Sequence, residues 1–226
     1  MPITFPNETS AYRTARSELL EKEIELRRLT EAVAVQRRAL PMGGKIKEDY
    51  VFDELGPDGS PRQVRLSELF GEGQDTLILY NYMYGPSMAQ PCDGCTPLLD
   101  AIEGAVPHVG QHVQFVLVAR SPIERIRAFT DDRGWSTFRI LSSAHNTYNL
   151  DYFGETEDGD QIPMVNVFHR EPDGSIHLFW GSEMWFEPPD PGQDQRQSDS
   201  INAAWNILDL TPEGRPEQSQ FQLSYS

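Results

Sequence analysis

The stretch Leu77-Ile-Leu-Tyr-Asn-Tyr-Met-Tyr-Gly-Pro-Ser-Met-Ala-Gln-Pro-Cys-Asp-Gly-Cys-Thr96 decides how the rest of the chain is interpreted. Its first part, from Leu77 to Tyr84, is an uninterrupted apolar and aromatic run, which is typical of a buried strand. The Gly85-Pro86 pair ends that run. Pro97 and the apolar residues after it predict the first turns of a helix, because proline is tolerated at a helix start.

The chain has two cysteines, Cys92 and Cys95, and both fall at this junction between a strand and a helix. Free amide hydrogens and the positive end of the helix dipole lie there, and both favour a thiolate over a thiol. We expect Cys92 to attack a substrate disulfide and Cys95, one helical turn further on, to resolve the mixed disulfide. This chemistry needs no cofactor and no metal.

Asp93 lies between the two cysteines and is predicted to tune the reactive thiol. A carboxylate one residue from Cys92 disfavours a second negative charge, so it should raise the pKa of Cys92. Replacement of Asp93 by asparagine is therefore expected to lower that pKa and to raise the reduction potential of the dithiol.

The composition of the chain limits the kinds of molecule that it is expected to bind. The 226 residues carry 19 Lys and Arg against 35 Asp and Glu, a formal net charge of −16. This charge repels phosphate backbones and anionic lipid, so nucleic acid and membranes are not expected as partners. No apolar run of about 18 residues is present, and the first residues lack the pattern of a signal peptide. Two cysteines with this spacing indicate a cytoplasmic redox or metal site rather than a secreted disulfide framework.

Three regions are predicted along the chain. Residues 1–45 form a helical extension, because apolar residues recur at spacings of three, four and seven between residues 9 and 40. We expect this helix to lie across the domain or against a second subunit, so a homodimer is allowed. Residues 46–187 form the central domain. Residues 188–226 form a linker rich in Pro, Gln and Asp, a short helix near residues 200–208, and a tail.

The predicted elements of the central region follow one another in an informative order. A strand leads into the cysteine pair and a helix, a second strand and helix follow, then a third strand, and finally a proline opens a strand, a turn and a returning strand. This order is the layout of the thioredoxin-like α/β fold, a central mixed sheet flanked by helices. The resemblance to that fold implies a cis proline beside the dithiol that contacts the substrate backbone, and Ile162-Pro163 is the matching position.

More closely, nearly the whole chain resembles a thioredoxin-like family of largely uncharacterised proteins described as predicted dithiol–disulfide oxidoreductases. The matching segments are Arg37-Arg-Ala-Leu-Pro41, Asp49-Tyr-Val-Phe52, Met83-Tyr-Gly-Pro86, Cys92-Asp-Gly-Cys95, Arg133-Gly-Trp135 and Leu208-Asp-Leu-Thr-Pro-Glu-Gly-Arg215. The resemblance implies thiol–disulfide exchange with a protein or small-molecule disulfide or thiol as substrate. A binding protein that keeps the fold but uses the cysteines little is the main alternative.

The spacing of residues argues against two other functions, a zinc finger and a peroxidase. Cys92, Cys95, His108 and His112 have the spacing of a zinc finger, but Pro107 interrupts the helix that would carry both histidines, where it costs roughly 3 kcal/mol. A peroxidase would need a proline and a threonine seven and three residues before its attacking cysteine. Gly85 and Ala89 occupy those positions before Cys92. Trp180, Trp185 and Phe186 are expected to be core or dimer contacts rather than the lining of a substrate groove.

Overall fold

A long helix dominates the first of the two units into which the chain divides, Met1–Pro41. Helix α1 spans Ser10–Arg38, and the Thr9 side chain caps it by accepting a hydrogen bond from the Tyr12 amide at 3.1 Å. None of its residues is buried. The predicted helix is confirmed, and its packing partner stays a prediction. The computed structural model describes residues 3–216, 221, 223 and 224.

One mixed sheet organises the second unit, Met42–Ser226. Among the described residues its order is β2-β1-β5-β4-β3-β6-β7. Strands β3, β4 and β5 are parallel, whereas the β6–β7 hairpin runs antiparallel beside β3 and the β1–β2 hairpin runs antiparallel beside β5. The strands are β1 Val51–Leu55, β2 Pro61–Arg65, β3 Thr76–Asn81, β4 Gln114–Ala119, β5 Arg139–Ser142, β6 Met164–Arg170 and β7 Ile176–Gly181.

Helices connect the parallel strands in the order predicted. Helix α2, Cys95–Glu103, follows β3 and is continued by the single turn α3, Val106–Val109; α4, Ile123–Arg133, follows β4. A single turn, α5 at Tyr148–Asp151, precedes β6, and α6, Ala203–Leu208, follows β7. A parallel unit of strand, helix, strand, helix and strand, completed by an antiparallel hairpin, is the thioredoxin-like fold. The predicted fold class is confirmed.

Strand β3 is an apolar run because both of its faces are buried. Leu77 and Leu79 point into one core cluster, together with residues of β1 and α5, and both are 0% exposed. Tyr80 points into the opposite cluster, which contains the buried faces of α2 and α4. Central strands that are covered on both sides lose the alternation of apolar and polar residues. The loop that carries the two cysteines therefore follows a strand that is covered on both faces.

Some element boundaries differ from those predicted. Strand β3 ends at Asn81, and α2 begins at Cys95 rather than at Pro97. Pro97 is the third helical residue, where its missing N–H removes no bond, because the first four amides of a helix have no partner within it. Helix α4 begins at Ile123, so Pro122 precedes the helix instead of opening it. No helix of the described residues combines the length and apolarity that crossing a bilayer requires.

Candidate dithiol site

The backbone of Cys92 is fixed between the end of β3 and the start of α2. Its amide donates to the Met83 carbonyl at 3.0 Å. Its carbonyl accepts from both the amide and the hydroxyl of Thr96, at 3.2 and 2.8 Å. The Thr96 hydroxyl also lies 2.7 Å from the hydroxyl of Tyr82, and both residues are buried. The position of the reactive cysteine is therefore set by packed groups on both sides.

Arg125, on α4, holds the loop that leads to Cys92. Its guanidinium donates to the carbonyls of Gly85 and Pro86 at 3.3 Å each, to that of Ala89 at 3.1 Å, and to that of Met88. The guanidinium also lies 4.4 Å from the centre of the Tyr84 ring. Sequence reasoning did not single out Arg125, because its partners lie 36 to 40 residues away and no local pattern marks them.

The Cys92 sulfur occupies the place of a helix cap. Residue 94 is a glycine that has no capping side chain, and the Cys95 amide instead donates to Cys92 Sγ at 3.1 Å. A hydrogen bond from the Cys95 thiol lowers the pKa of Cys92 to about 7, and the backbone amides of Cys95 and Gly94 act in the same direction. Partial burial and the Asp93 carboxylate oppose them by raising the pKa. The tuning role of Asp93 stays a prediction.

Cys95 has the opposite environment. It is 6% exposed, whereas Cys92 is half-buried, and both are free thiols. The hydrogen bond to Cys92 and burial raise the pKa of Cys95 well above its ordinary value. The Tyr80 hydroxyl, which is also buried, forms a hydrogen bond with the Cys95 side chain. The pair thus combines one thiol that ionises near neutrality with one that stays protonated.

The prediction of a cis proline is wrong. The Ile162–Pro163 peptide bond is trans. The Ile162 amide donates to the Gly154 carbonyl at 3.0 Å, and Gln161 pairs with Glu155 as an antiparallel bridge. This pairing brings the chain into β6 in an extended form that a trans bond satisfies. Pro163 nevertheless lines the same cavity as both cysteines.

This cavity, of about 450 Å³, is the space into which the dithiol faces. One side comes from the fold core and the other from the C-terminal residues. The core side is lined by Tyr80, Met83, Cys92, Gly94, Cys95, Leu98, Pro163, Trp185 and Phe186. The other side is lined by Asp194, Gln195, Gln197, Ser198, Asn202, Trp205, Arg215 and Pro216. Residues predicted to be a linker and a tail therefore form a wall of the site.

Four charged residues within this C-terminal segment, residues 194–216, form ion pairs with one another. Arg215 contacts Asp199 at 2.7 Å and Asp209 at 2.6 Å, and Arg196 contacts the same two carboxylates at 3.2 and 2.6 Å. We call these four residues the C-terminal clamp. Its arginines hold the pKa of Asp209 at about 2, with the hydrogen bond from Arg215 as the largest cause. Helix α6 packs on α2 beside the clamp.

The alternative zinc site is wrong in this geometry. His108 lies on α3 and His112 follows it, and both side chains belong to exposed residues. Within residues 3–216, 221, 223 and 224, no group of three or more His, Cys, Asp or Glu side chains is arranged to hold a metal ion. The two histidines do not join the two cysteines, because Gly110 and the end of α3 carry His112 away toward β4.

The fold and site define the class of this protein as a thioredoxin-like protein with a Cys-x-x-Cys pair, in which Cys92 precedes α2 and Cys95 is the first residue of that helix. Residues 2–225 match the family DUF899, described as bacterial protein of unknown function. The chain belongs to that family. A comparison with curated proteins gives no match.

Solved structures with similar folds include peroxiredoxins and a thioredoxin. Thioredoxin peroxidase I of Plasmodium yoelii is 13% identical with a TM-score of 0.45, over 75% of this chain and 91% of that one. AhpC of Mycobacterium tuberculosis is 11% identical with a TM-score of 0.46, over 73% and 94%. The exposed lipoprotein thioredoxin Etrx1 of Streptococcus pneumoniae strain TIGR4 is 13% identical with a TM-score of 0.40, over 67% and 96%.

Proposed function

We propose that this protein catalyses thiol–disulfide exchange, with Cys92 as the nucleophile and Cys95 as the resolving residue. The observation that carries the proposal is the amide of Cys95 donating to Cys92 Sγ at 3.1 Å. This contact stabilises the thiolate at Cys92, while Cys95 is held beside it as a buried thiol. A nucleophile with a pKa near the ambient pH is the most effective in disulfide exchange.

The reaction balances without any other group. The Cys92 thiolate attacks one sulfur of a disulfide R–S–S–R′, which forms a mixed disulfide with R–S and releases R′–S⁻. Cys95 then loses its proton and attacks Cys92 Sγ, which forms the Cys92–Cys95 disulfide and releases R–S⁻. Two electrons pass from the dithiol to the substrate, and the two products take up the protons. A cellular thiol or dithiol returns the electrons by the reverse exchange.

Ile162 and Pro163 are proposed to contact the substrate portion attached to Cys92. The position of Pro163 in the lining of the dithiol cavity supports this role. Ile162 contributes by positioning Pro163, because its amide is bonded to the Gly154 carbonyl. Pro163 has no backbone N–H, so it offers an apolar surface. We place the reaction in the cytoplasm, where a reversible dithiol is more useful than a permanent disulfide.

The test is a redox titration against glutathione buffers, read out by maleimide labelling and mass spectrometry. The proposal expects both thiols to disappear together and to return on reduction, as one two-electron transition. Cys95→Ser should accumulate a mixed disulfide at Cys92 with a supplied disulfide, because the resolving thiol is missing. Cys92→Ser is the matched control and should accumulate none.

The alternative is a binding protein with a dithiol that does not turn over. The exposed Asp93 carboxylate favours this alternative, because it opposes the thiolate at Cys92. A dithiol that stays reduced across the titration, or a Cys95→Ser variant that forms no mixed disulfide, would support the binding protein and refute the exchange reaction.

A further inference from the structure

We infer that the C-terminal segment, residues 194–216, restricts the dithiol to low-molecular-weight disulfides and excludes disulfides held in folded proteins. This inference rests on the proposed exchange reaction and names its substrate class. The segment is a wall of the site, since Asp194, Gln195 and Gln197 line the same cavity as Cys92.

The segment and the reactive sulfur share one cavity. Cys92 is half-buried, and Trp185 and Phe186 line the cavity together with it. Gln195, Gln197 and Ser198 of the segment also line it. The cavity is partly open to solvent, and its volume of about 450 Å³ falls within the range of roughly 300–1,000 Å³ that is usual for small-molecule sites.

Protein disulfides need more room than this. In a disulfide the two Cα atoms are only about 4.4–6.8 Å apart, so each sulfur lies close to its own backbone. A sulfur of a protein disulfide cannot reach Cys92 unless the flanking chain enters the cavity with it. A small disulfide carries no such chain, so it can enter whole while the segment stays in place.

The clamp fixes the shape of the segment, because all four of its residues lie within residues 194–216. The segment rests on the domain through α6, which packs on α2, and through Ile201, which is partly buried against the core cluster. Among described residues 194–216 only Asn202 is buried, so apolar packing within the segment is sparse. The clamp instead places two arginines against the same two carboxylates, and the side chain of Arg215 is only 9% exposed. Removing the carboxylates would leave this enclosed guanidinium unpaired, a costly state that opening of the segment relieves.

The reaction with a small disulfide transfers the same two electrons as the exchange reaction described above. A small disulfide R–S–S–R is the oxidant, the Cys92–Cys95 pair is the reductant, and two molecules of R–SH leave the cavity. Bis(2-hydroxyethyl) disulfide is a suitable probe because it is small and uncharged, so the charge of the protein does not bias its entry. Insulin is the second probe, and its disulfides are held in a folded protein.

The experiment compares the wild-type protein with Asp199→Asn/Asp209→Asn, which removes the carboxylates of the clamp without changing a residue that lines the cavity. Asp75→Asn is the matched control, because it breaks the 3.1 Å pair with Arg170, which does not line the cavity. Each reduced protein is labelled with N-ethylmaleimide and with the same maleimide on polyethylene glycol. Modification at Cys92 is followed by mass spectrometry.

We expect wild-type Cys92 to react with the small maleimide and to be protected from the large one. The double variant should increase the rate of the large reagent by about tenfold, equivalent to about 1.4 kcal/mol in the opening equilibrium, and leave the small reagent unchanged. Asp75→Asn should behave as wild type. In the exchange reaction, wild type should prefer bis(2-hydroxyethyl) disulfide to insulin, and the double variant should narrow that preference.

Separate results refute the inference and the proposed function. Equal protection of Cys92 from both maleimides in wild type, or an unchanged ratio in a folded double variant, overturns the inference. If the double variant does not fold, labelling of wild type at increasing salt replaces it, since salt should weaken the clamp and admit the large reagent. Selective protection without any disulfide turnover refutes the exchange reaction only. Turnover of insulin as readily as of the small disulfide refutes the inference only.

Discussion

The two walls of the dithiol cavity are held by different forces. The α2 wall is anchored by apolar burial, with Leu98 and Leu99 at 3% and 0% exposure. The C-terminal wall has a single buried residue between residues 194 and 216 and depends on the charges of the clamp. Added salt screens ion pairs that solvent reaches, such as those of Arg196, whereas it does not weaken apolar burial. The α2 wall, which carries Cys95, is therefore expected to resist salt, and the wall proposed to select substrates is expected to respond to it.

Truncation of a leucine in each wall should expose this difference most strongly. Leu99→Ala, in α2, is expected to lower the free energy of unfolding by about 3 kcal/mol, because it leaves a cavity in a packed core. Leu210→Ala, in the C-terminal segment, changes a residue that is 84% exposed and should cost less than about 0.5 kcal/mol. Urea unfolding of both variants measures the gap. Equal losses would contradict the contrast between the walls.

The two cysteines should differ almost as much in reactivity. With the pKa of Cys92 at about 7, about half of this residue is thiolate at pH 7, whereas Cys95 stays a thiol. Alkylation at pH 7 should therefore modify Cys92 faster by a factor of about 50 or more. The rate at Cys92 should fall as pH drops below 7, because protonation removes the nucleophile, and should level off above about pH 8.

Iodoacetamide pulses at a series of pH values, followed by peptide mass spectrometry, provide that measurement. Denatured protein is the control, because the two thiols should then react alike. Faster labelling of Cys95 in the native protein would reverse the assigned roles.

Removing the Thr96 hydroxyl should also lower the free energy of unfolding, by less than the truncation of Leu99. Thr96→Val removes the buried donor to the Cys92 carbonyl and the partner of the Tyr82 hydroxyl, and is expected to cost about 1–3 kcal/mol. Thr96→Ser keeps the hydroxyl and should recover most of the stability. Thr211→Val, at an exposed threonine of the C-terminal segment, should cost under about 0.5 kcal/mol. Chemical denaturation of the three variants provides the comparison, and a neutral Thr96→Val would show that the hydroxyl does not fix the loop.

The smallest expected effect is that of Asp93, which lies at the solvent side of the α2 wall. Asp93→Asn removes a negative charge that raises the pKa of Cys92, so the thiolate fraction below neutral pH should rise a few-fold. The reduction potential should rise with it, insofar as the reduced protein is a thiolate. Ultraviolet thiolate absorbance against pH at low salt measures the change, and Glu187→Asn, at another exposed acid, is the control. An unchanged or higher pKa in Asp93→Asn would show that the carboxylate points away from the sulfur.

The sequence by itself determined the order of the elements and the place of the dithiol. Apolar runs, turn residues and helix-start residues act over a few positions, so they identified the strand before Cys92, the helix after Cys95 and the hairpin after Pro163. The long N-terminal helix followed from spacing in the same way. Even the direction in which Asp93 acts on Cys92 came from adjacency along the chain, since neighbours in sequence stay neighbours in any fold.

Only the tertiary structure decided what surrounds the dithiol. Arg125 holds the loop before Cys92 although it lies 36 to 40 residues away in sequence. Arg215 lines the cavity beside the dithiol, although more than a hundred residues separate it from Cys95 in sequence. The trans bond before Pro163 is the isomer that X–Pro bonds prefer, and the residues before it pair with residues 154 and 155. A polar segment such as residues 194–216 lacks the apolar pattern from which packing against a core is predicted. Its place in the cavity wall comes instead from contacts with distant parts of the chain, α6 on α2 and Ile201 against the core cluster, which no local pattern of residues records.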